Sequence, residues 1–422
     1  MAYETGTISS NGYIGVLEAL RDFVTRANTI SSVSDPTPAN TGGGDVTGVS
    51  AEDDAPTETW TLTCTTGGAT GIFFVVGSVS GAQANATVGT PYDNGIVAFT
   101  INDGTPDFII GDDFEFTVTK VMGDEKWTVK RDVDSGGDKE LILMAPGSEG
   151  SVEDEYYVGI KTAHGDYLGD PYYIWMLNGF TGYNAQQTFY EQAGSISTNW
   201  QDLPLSLLDI TACQYWFVAN GRRVAGCIKV GTTYSPFYLG LLLPYGTPNT
   251  LPYPLVIGGS AAYYSDAYLA ASCIWYNHRG FIDPYAATDD YDAKSSLKLL
   301  HGVWLSFSNH SSNDNRIAQS SVRRANNVWP GVYSKYAYNP YWPNELKWSC
   351  ERNIDDTYSL FPLILMASLP YKNVFGELDG VFTVWGDRAI TEDDIIFESK
   401  IYKVFQNCLR TYPQNFWALR LE

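Results

Sequence analysis

Trp60-Thr61-Leu62-Thr63-Cys64 and Phe114-Glu115-Phe116-Thr117-Val118-Thr119 decide the fold. In both, large apolar side chains alternate with threonine or glutamate, the period of two that buries one row on a sheet face and leaves the other in water. Between them lie the short β-rich runs 72–76, 95–101 and 107–110, punctuated by Gly67-Gly68, Asp93-Asn94-Gly95, Asp103-Gly104 and Gly111-Asp112. This spacing predicts about seven short strands in roughly 65 residues, the proportions of a small Ig-like β-sandwich.

Outward from this module, residues 31–59 are rich in Ser, Pro, Thr, Gly and Asp and read as a linker. Before the linker, Ile14, Leu17, Leu20 or Arg21, Val24 and Ala27 recur at three-to-four spacing behind Ser9–Ser10, which predicts one helix over 13–27 with a serine cap. The helix serves either as ordinary packing on the body or as a docking element for another subunit. After Gly123 the alternation resumes at Trp127 and Val129, at Leu141 and Leu143, and at Tyr156, Val158 and Ile160, followed by short aromatic and aliphatic runs broken by Pro, Gly and Asn. The expectation is a mainly β protein: a β-sandwich or jelly-roll-like body with one N-terminal helix and an inserted small Ig-like β-sandwich. The predicted segments are 1–34 (helix and start of the body), 35–122 (linker and inserted module) and 123–422 (β-rich body, divisible near 262–300).

A chain of 422 residues has ample material for a buried core. With 26 Lys+Arg against 48 Asp+Glu, its net charge of −22 repels nucleic-acid backbones and anionic membranes, so nucleic acid is not the expected partner. Charged residues make up only 18%, below the usual quarter, while there are 29 Tyr and 12 Trp. Such surfaces suit coverage by neighbours, because interface centres favour aromatics and exclude charge. No run of 18 apolar residues predicts a membrane span, and residues 1–20 lack the pattern of a secretion signal, so a cytoplasmic site of synthesis is expected. The six cysteines are far apart and form no CxxC pair, and there are four histidines; buried reduced thiols are expected, with no metal and no cofactor.

Chemistry-bearing clusters are sparse. Asp289-Asp290-Tyr291-Asp292, Asp355-Asp356 and Glu392-Asp393-Asp394 read as solvated acidic loops. Glu377 and Asp379, in the stretch Gly376–Gly380, fit either a glycosidase-type carboxylate pair or a hairpin turn. Asp132-Val133-Asp134-Ser135-Gly136-Gly137-Asp138 spaces oxygen donors like a calcium loop but lacks the closing glutamate, Leu143 standing in its place, so a strand-connecting loop is expected. There is no Gly-x-Ser-x-Gly elbow and no phosphate-binding loop, and His278 and His301 have no identifiable partner. The doublets Arg222-Arg223 and Arg323-Arg324 suit either an acidic neighbour in an assembly or the chain's own carboxylates. The aromatic tract containing Trp329, Tyr336, Tyr341 and Trp342 suits a partner protein, a sugar or a loop over the core.

Several stretches resemble a family of tailed-bacteriophage virion structural proteins. They are Met1-Ala2-Tyr3-Glu4-Thr5-Gly6-Thr7, the run 215–223 (Tyr-Trp-Phe-Val-Ala-Asn-Gly-Arg-Arg), 238–248, 253–260, Gly376-Glu377-Leu378-Asp379-Gly380-Val381 and Phe416-Trp417-Ala418-Leu419-Arg420-Leu421. The module at 58–120, with Gly77-Ser78-Val79-Ser80-Gly81 and the run 111–118, resembles a β module inserted in or appended to phage tail and fibre proteins. The resemblance implies a virion setting in the tail or baseplate, or the neck or collar, and brings no catalytic residues. The expected function is therefore non-enzymatic: a structural protein that packs against copies of itself and other phage proteins. Host-receptor or glycan binding is the alternative, and polysaccharide cleavage a third.

Overall fold

The computed structural model describes residues 1–35, 40–146, 156–167, 170–198, 203–246, 255–260, 293–299, 303–308, 320–324, 360–367, 373–384, 390–408 and 416–421. The protein is mainly β, built from antiparallel sheets with a single α-helix among the described residues. Two compact units divide the chain: 1–24 with 127–422 (the body), and 25–126 (the inserted unit). None of the described helices is long and apolar enough to cross a membrane.

In the body, the helix Gly12–Thr25 buries Val16, Leu17, Leu20, Phe23 and Val24 on one face; of the row read from the sequence, Leu17, Leu20 and Val24 are buried, Ile14 is half-buried and Ala27 lies past the helix end. The predicted serine cap does not form. The first amides, of Gly12 and Tyr13, donate instead to the carbonyls of Ile210 (3.1 Å) and Asp209 (2.9 Å), so a turn of the neighbouring sheet satisfies the helix start.

That sheet is the largest. From one edge it runs Ala2–Ile8, Cys213–Asn220, Arg223–Val230, Thr233–Leu241, Leu255–Ser260, Leu205–Leu208, Asp170–Phe180, Tyr157–Tyr167, Asp138–Met144 and Thr128–Ser135. The helix contacts Cys213–Asn220, Asp170–Phe180, Asp138–Met144 and Thr128–Ser135. Phe23 stacks on Phe217, Trp175 donates its indole N–H to the Tyr13 carbonyl at 2.7 Å, and Lys139 and Asp132 form ion pairs with Glu18 and Arg21.

A second sheet has the order Ser320–Arg324, Phe361–Ala367, Asn373–Val384, Phe416–Arg420, Lys400–Gln406, Asp394–Phe397. It packs on the face of the first sheet opposite the helix. Along Cys213–Asn220, Tyr215 and Phe217 stack on the helix side while Trp216 and Val218 enter the inter-sheet core, Trp216 meeting Phe405 at 5.0 Å between ring centroids. Leu242, Val256 and Leu297 from one sheet and Leu365, Leu378, Val381, Trp417 and Leu419 from the other complete that core. Each fully buried aliphatic or aromatic side chain there contributes about 1.5–3 kcal/mol of transfer free energy. The body is a β-sandwich with a helix on one flank.

The inserted unit is a second sandwich. One sheet has the order Asn28–Ile30, Asp113–Lys120, Glu58–Thr66, Ile72–Gly77, Gly81–Ala82; the other has Asp45–Ala51, Val97–Asn102, Pro91–Asp93. Trp60, Leu62, Cys64, Phe114, Phe116 and Val118, the apolar rows read from the sequence, lie in its core with Phe73, Val75, Phe99, Ile101 and Phe108.

Two sequence expectations are corrected here. The linker at 31–59 contains a strand, Asp45–Ala51, paired with Val97–Asn102, and Ala55 and Glu58 are buried. Gly48 at φ +64° and the register shift between Thr47 and Ser50 interrupt its alternation, so the strand is not legible as a period of two. The inserted unit also starts at Thr25, not 35, because Asn28–Ile30 pairs with Val118–Lys120. The division expected near 262–300 falls largely outside the described residues.

Candidate functional site

One pair of buried charges, Arg223 and Asp379, joins the two sheets of the body. Arg223, fully buried, donates Nε–H to Asp379 Oδ2 at 3.2 Å and an Nη1–H to the Val218 carbonyl at 3.1 Å. Asp379 also accepts from Arg420 at 3.3 Å and from the Asn220 amide at 3.0 Å, and its own backbone N–H donates to the Tyr238 hydroxyl. Burial alone would push the Asp379 carboxyl up; the charges of Arg223 and Arg420 and the Asn220 hydrogen bond override it and hold it below the ordinary carboxylate range. The cluster is an internal clasp between sheets.

Local backbone geometry makes the clasp. The stretch Gly376–Gly380, read as a candidate hairpin turn, lies inside one long strand, Asn373–Val384. Against Phe361–Ala367 its register jumps from Ile364↔Glu377 to Pro362↔Phe382, a wide bulge that turns Asp379 toward Arg223. Gly380 has φ +73°, and a Cβ there would stand 2.6 Å from Arg223 Nη2, so glycine is required for the guanidinium to fit. Glu377 is engaged elsewhere, accepting from the Tyr245 hydroxyl at 2.9 Å. The two carboxylates thus have separate partners.

Of the two sequence readings of Arg223, the structure shows the second: it pairs with the chain's own Asp379 and, being fully buried, is not an anchor for a neighbour. Arg222 is exposed at the adjoining turn. Arg323 and Arg324 stand opposite Ile364 and Leu363 on the strand Ser320–Arg324. Trp329, Tyr336, Tyr341 and Trp342 lie outside the described residues, as do His278, His301 and the clusters at 289–292 and 355–356.

The 132–138 segment forms a two-residue hairpin between Thr128–Ser135 and Asp138–Met144. Asp132 is held by Arg21 at 2.6 Å and Lys139 at 3.1 Å, and Asp138 by His164 at 2.9 Å. Among the described residues no group of three or more His, Cys, Asp and Glu is placed to hold a metal. Glu392, expected in a solvated loop, is instead an anchor: it accepts from Lys229 Nζ and, at 2.6 Å, from the Tyr234 hydroxyl.

Apolar side chains also stand in water at the outer strand of each body sheet. Ala2–Ile8 is the strand outside Cys213–Asn220, and Asp394–Phe397 is the strand outside Lys400–Gln406. The first lies by Arg223, whose Nη2 contacts the Met1 sulfur, and the second follows Glu392, which is held by Lys229 and Tyr234. Exposed are Met1 (41%) and Tyr3 (42%) at the first, and Ile396 (74%) and Phe397 (55%) at the second, with Ile390 (69%) in the turn before it. Among the described residues, no strand pairs with the outer side of either. Sequence periodicity gives no sign of either edge, because which strands end a sheet is a property of topology. No protein-family model matches the chain, and no curated protein matches it.

Proposed function

We propose that this chain is a non-enzymatic structural component of a tailed-bacteriophage virion, in the tail or baseplate or in the neck or collar, working through protein–protein contacts with its own copies and with other particle proteins. The observation that carries the reading is the outer strand of each body sheet, Ala2–Ile8 and Asp394–Phe397, beside which Met1, Tyr3, Ile396 and Phe397 stand in water. Apolar edge strands are an aggregation hazard that folded proteins blunt or cover, so strands with no outer partner among the described residues call for one. The virion setting rests on the motif resemblance, including Met1–Thr7 and Phe416–Leu421.

The test is a cryo-EM reconstruction of the particle made by the phage that encodes the chain. The expected result is density for this fold in symmetric, repeated contact with neighbours. Its absence from the particle, or substrate turnover by the purified chain, overturns the reading.

A second reading, glycan binding by the inserted unit, is favoured by one feature. Phe74 is 40% exposed on a sheet face beside the outward threonines Thr61 and Thr63, a flat aromatic platform of the kind sugar rings stack on. Titrating host-surface oligosaccharides into the chain and its Phe74→Ala variant tests it: binding lost in the variant supports recognition, and no binding by either removes it.

A further inference from the structure

The open edge at Asp394–Phe397 has a charge pattern as well as an apolar one. Along residues 393–400 the acids Asp393, Asp394 and Glu398 bracket Ile395, Ile396 and Phe397, against one base, Lys400. Lys403, across the hairpin, is engaged with Asp394 at 2.5 Å. If a second copy added its own Asp394–Phe397 antiparallel about a twofold axis, with Asp394 opposite Phe397, then Asp393 would stand opposite Glu398 at both ends. Like charges directly opposite destabilise a strand pair, and two chains of net charge −22 repel at longer range.

We propose that this edge receives a β-strand of a different protein, apolar at alternate positions and carrying Lys or Arg at both ends. The incoming backbone extends the sheet at Asp394–Phe397, its apolar row covers Phe397 on one face of the sheet, and its terminal bases meet Asp393 and Glu398. This names a partner for the assembly reading and rests on it.

The experiment uses the full chain and two labelled ten-residue peptides of alternating valine and threonine, one with two lysines at each end and the other with two glutamates. Fluorescence anisotropy at low salt is expected to give an affinity for the lysine peptide at least about tenfold higher than for the glutamate peptide, falling as salt is raised. Replacing Ile396→Ser together with Phe397→Ser is expected to weaken binding by about tenfold. Should that variant unfold, amide exchange over 394–397 in the unmodified chain decides: the lysine peptide must slow it.

Equal affinities, or no protection at 394–397, overturn the proposal. So does a homodimer that dissociates on Ile396→Ser, because the occupant is then a second copy. Failure of the peptide with the chain still present in the particle removes only the edge assignment, whereas absence from the particle removes the assembly reading itself.

Discussion

The backbone N–H of Trp127 donates to the carbonyl of Val24 at 2.8 Å, so the chain leaves the body and returns to it at neighbouring points. Trp127 stays in the body, buried, with its indole N–H on the Asn220 carbonyl at 2.9 Å and its ring edge-on to Tyr156. Everything between, 25–126, has its own core of Trp60, Phe73, Phe99 and Phe116. Excising 25–126 and joining Val24 to Trp127 through a few glycines is therefore expected to leave a body that unfolds cooperatively, and 25–126 alone is expected to fold. Thermal melts of both fragments, followed by near-ultraviolet circular dichroism, check this.

The clasp at Asp379 predicts a pH-dependent loss. Asp379→Asn keeps the shape but leaves buried Arg223 without a counter-charge, and breaking such a pair costs about 3 kcal/mol. Because its folded pKa is lowered relative to the unfolded carboxyl, Asp379 contributes stability that is present above the unfolded value, near 3.9, and is lost as pH falls through the folded one. Urea midpoints should separate the two proteins most at neutral pH, and the gap should close on acidification below about pH 4. A gap that does not change with pH would mean that packing, not charge, carries the effect.

The contrast between these two features explains what the sequence discloses. The rows Trp60-Leu62-Cys64 and Phe114-Phe116-Val118, and the helix face at Leu17, Leu20 and Val24, are legible because period and burial are local properties of a strand or helix. Asp379 and Arg223 are 156 positions apart and meet only because of a bulge, and no short-range signal announces that. The strand Asp45–Ala51 is hidden for a different reason: it fully buries only Val46 of its valines and is kinked at Gly48. The open edge is invisible in principle, since Ile395-Ile396-Phe397 reads like any core strand until the sheet order is known.

In the inserted unit, Asp112 is the equivalent keystone. Its carboxylate accepts the backbone N–H groups of Thr41 (2.8 Å), Gly42 (3.0 Å) and Ile109 (2.9 Å), joining the segment before Asp45–Ala51 to the turn before Asp113–Lys120. Burial opposes ionisation, yet these three donors hold the carboxyl below its ordinary range. Asp112→Ala leaves all three donors unpaired and is expected to destabilise this unit by about 2–3 kcal/mol while the body's transition stays unchanged. Calorimetry of the full chain should show one transition shifted and the other fixed.

Thiol chemistry reports the same burial independently. Cys64, Cys213, Cys227 and Cys408 are buried; burial raises Cys213 to about 11 and pushes Cys227 well above the ordinary thiol range. A thiolate is the reactive form, so at pH 8 these four are expected to resist iodoacetamide in the folded chain and to react rapidly in denaturant. Mass-spectrometric mapping of alkylated peptides identifies each site, and fast labelling of Cys227 without unfolding would contradict its placement between the sheets.

The hairpin that presents the open edge offers a variant in which stability and recognition move in opposite directions. Phe397 pairs with Lys400 across a two-residue turn, and both turn residues have positive φ, Glu398 at 50° and Ser399 at 62°. Such turns favour Asn-Gly, and side chains that rarely adopt this conformation cost about 1 kcal/mol each. Glu398→Asn with Ser399→Gly is thus expected to raise unfolding stability by about 1–2 kcal/mol, read as a higher urea midpoint with an unchanged slope. The same change removes one of the acids flanking Ile396 and Phe397, so the lysine-ended peptide should bind more weakly and with a shallower salt dependence. A more stable chain that binds that peptide as tightly as before would show that Glu398 is retained for neither turn geometry nor recognition.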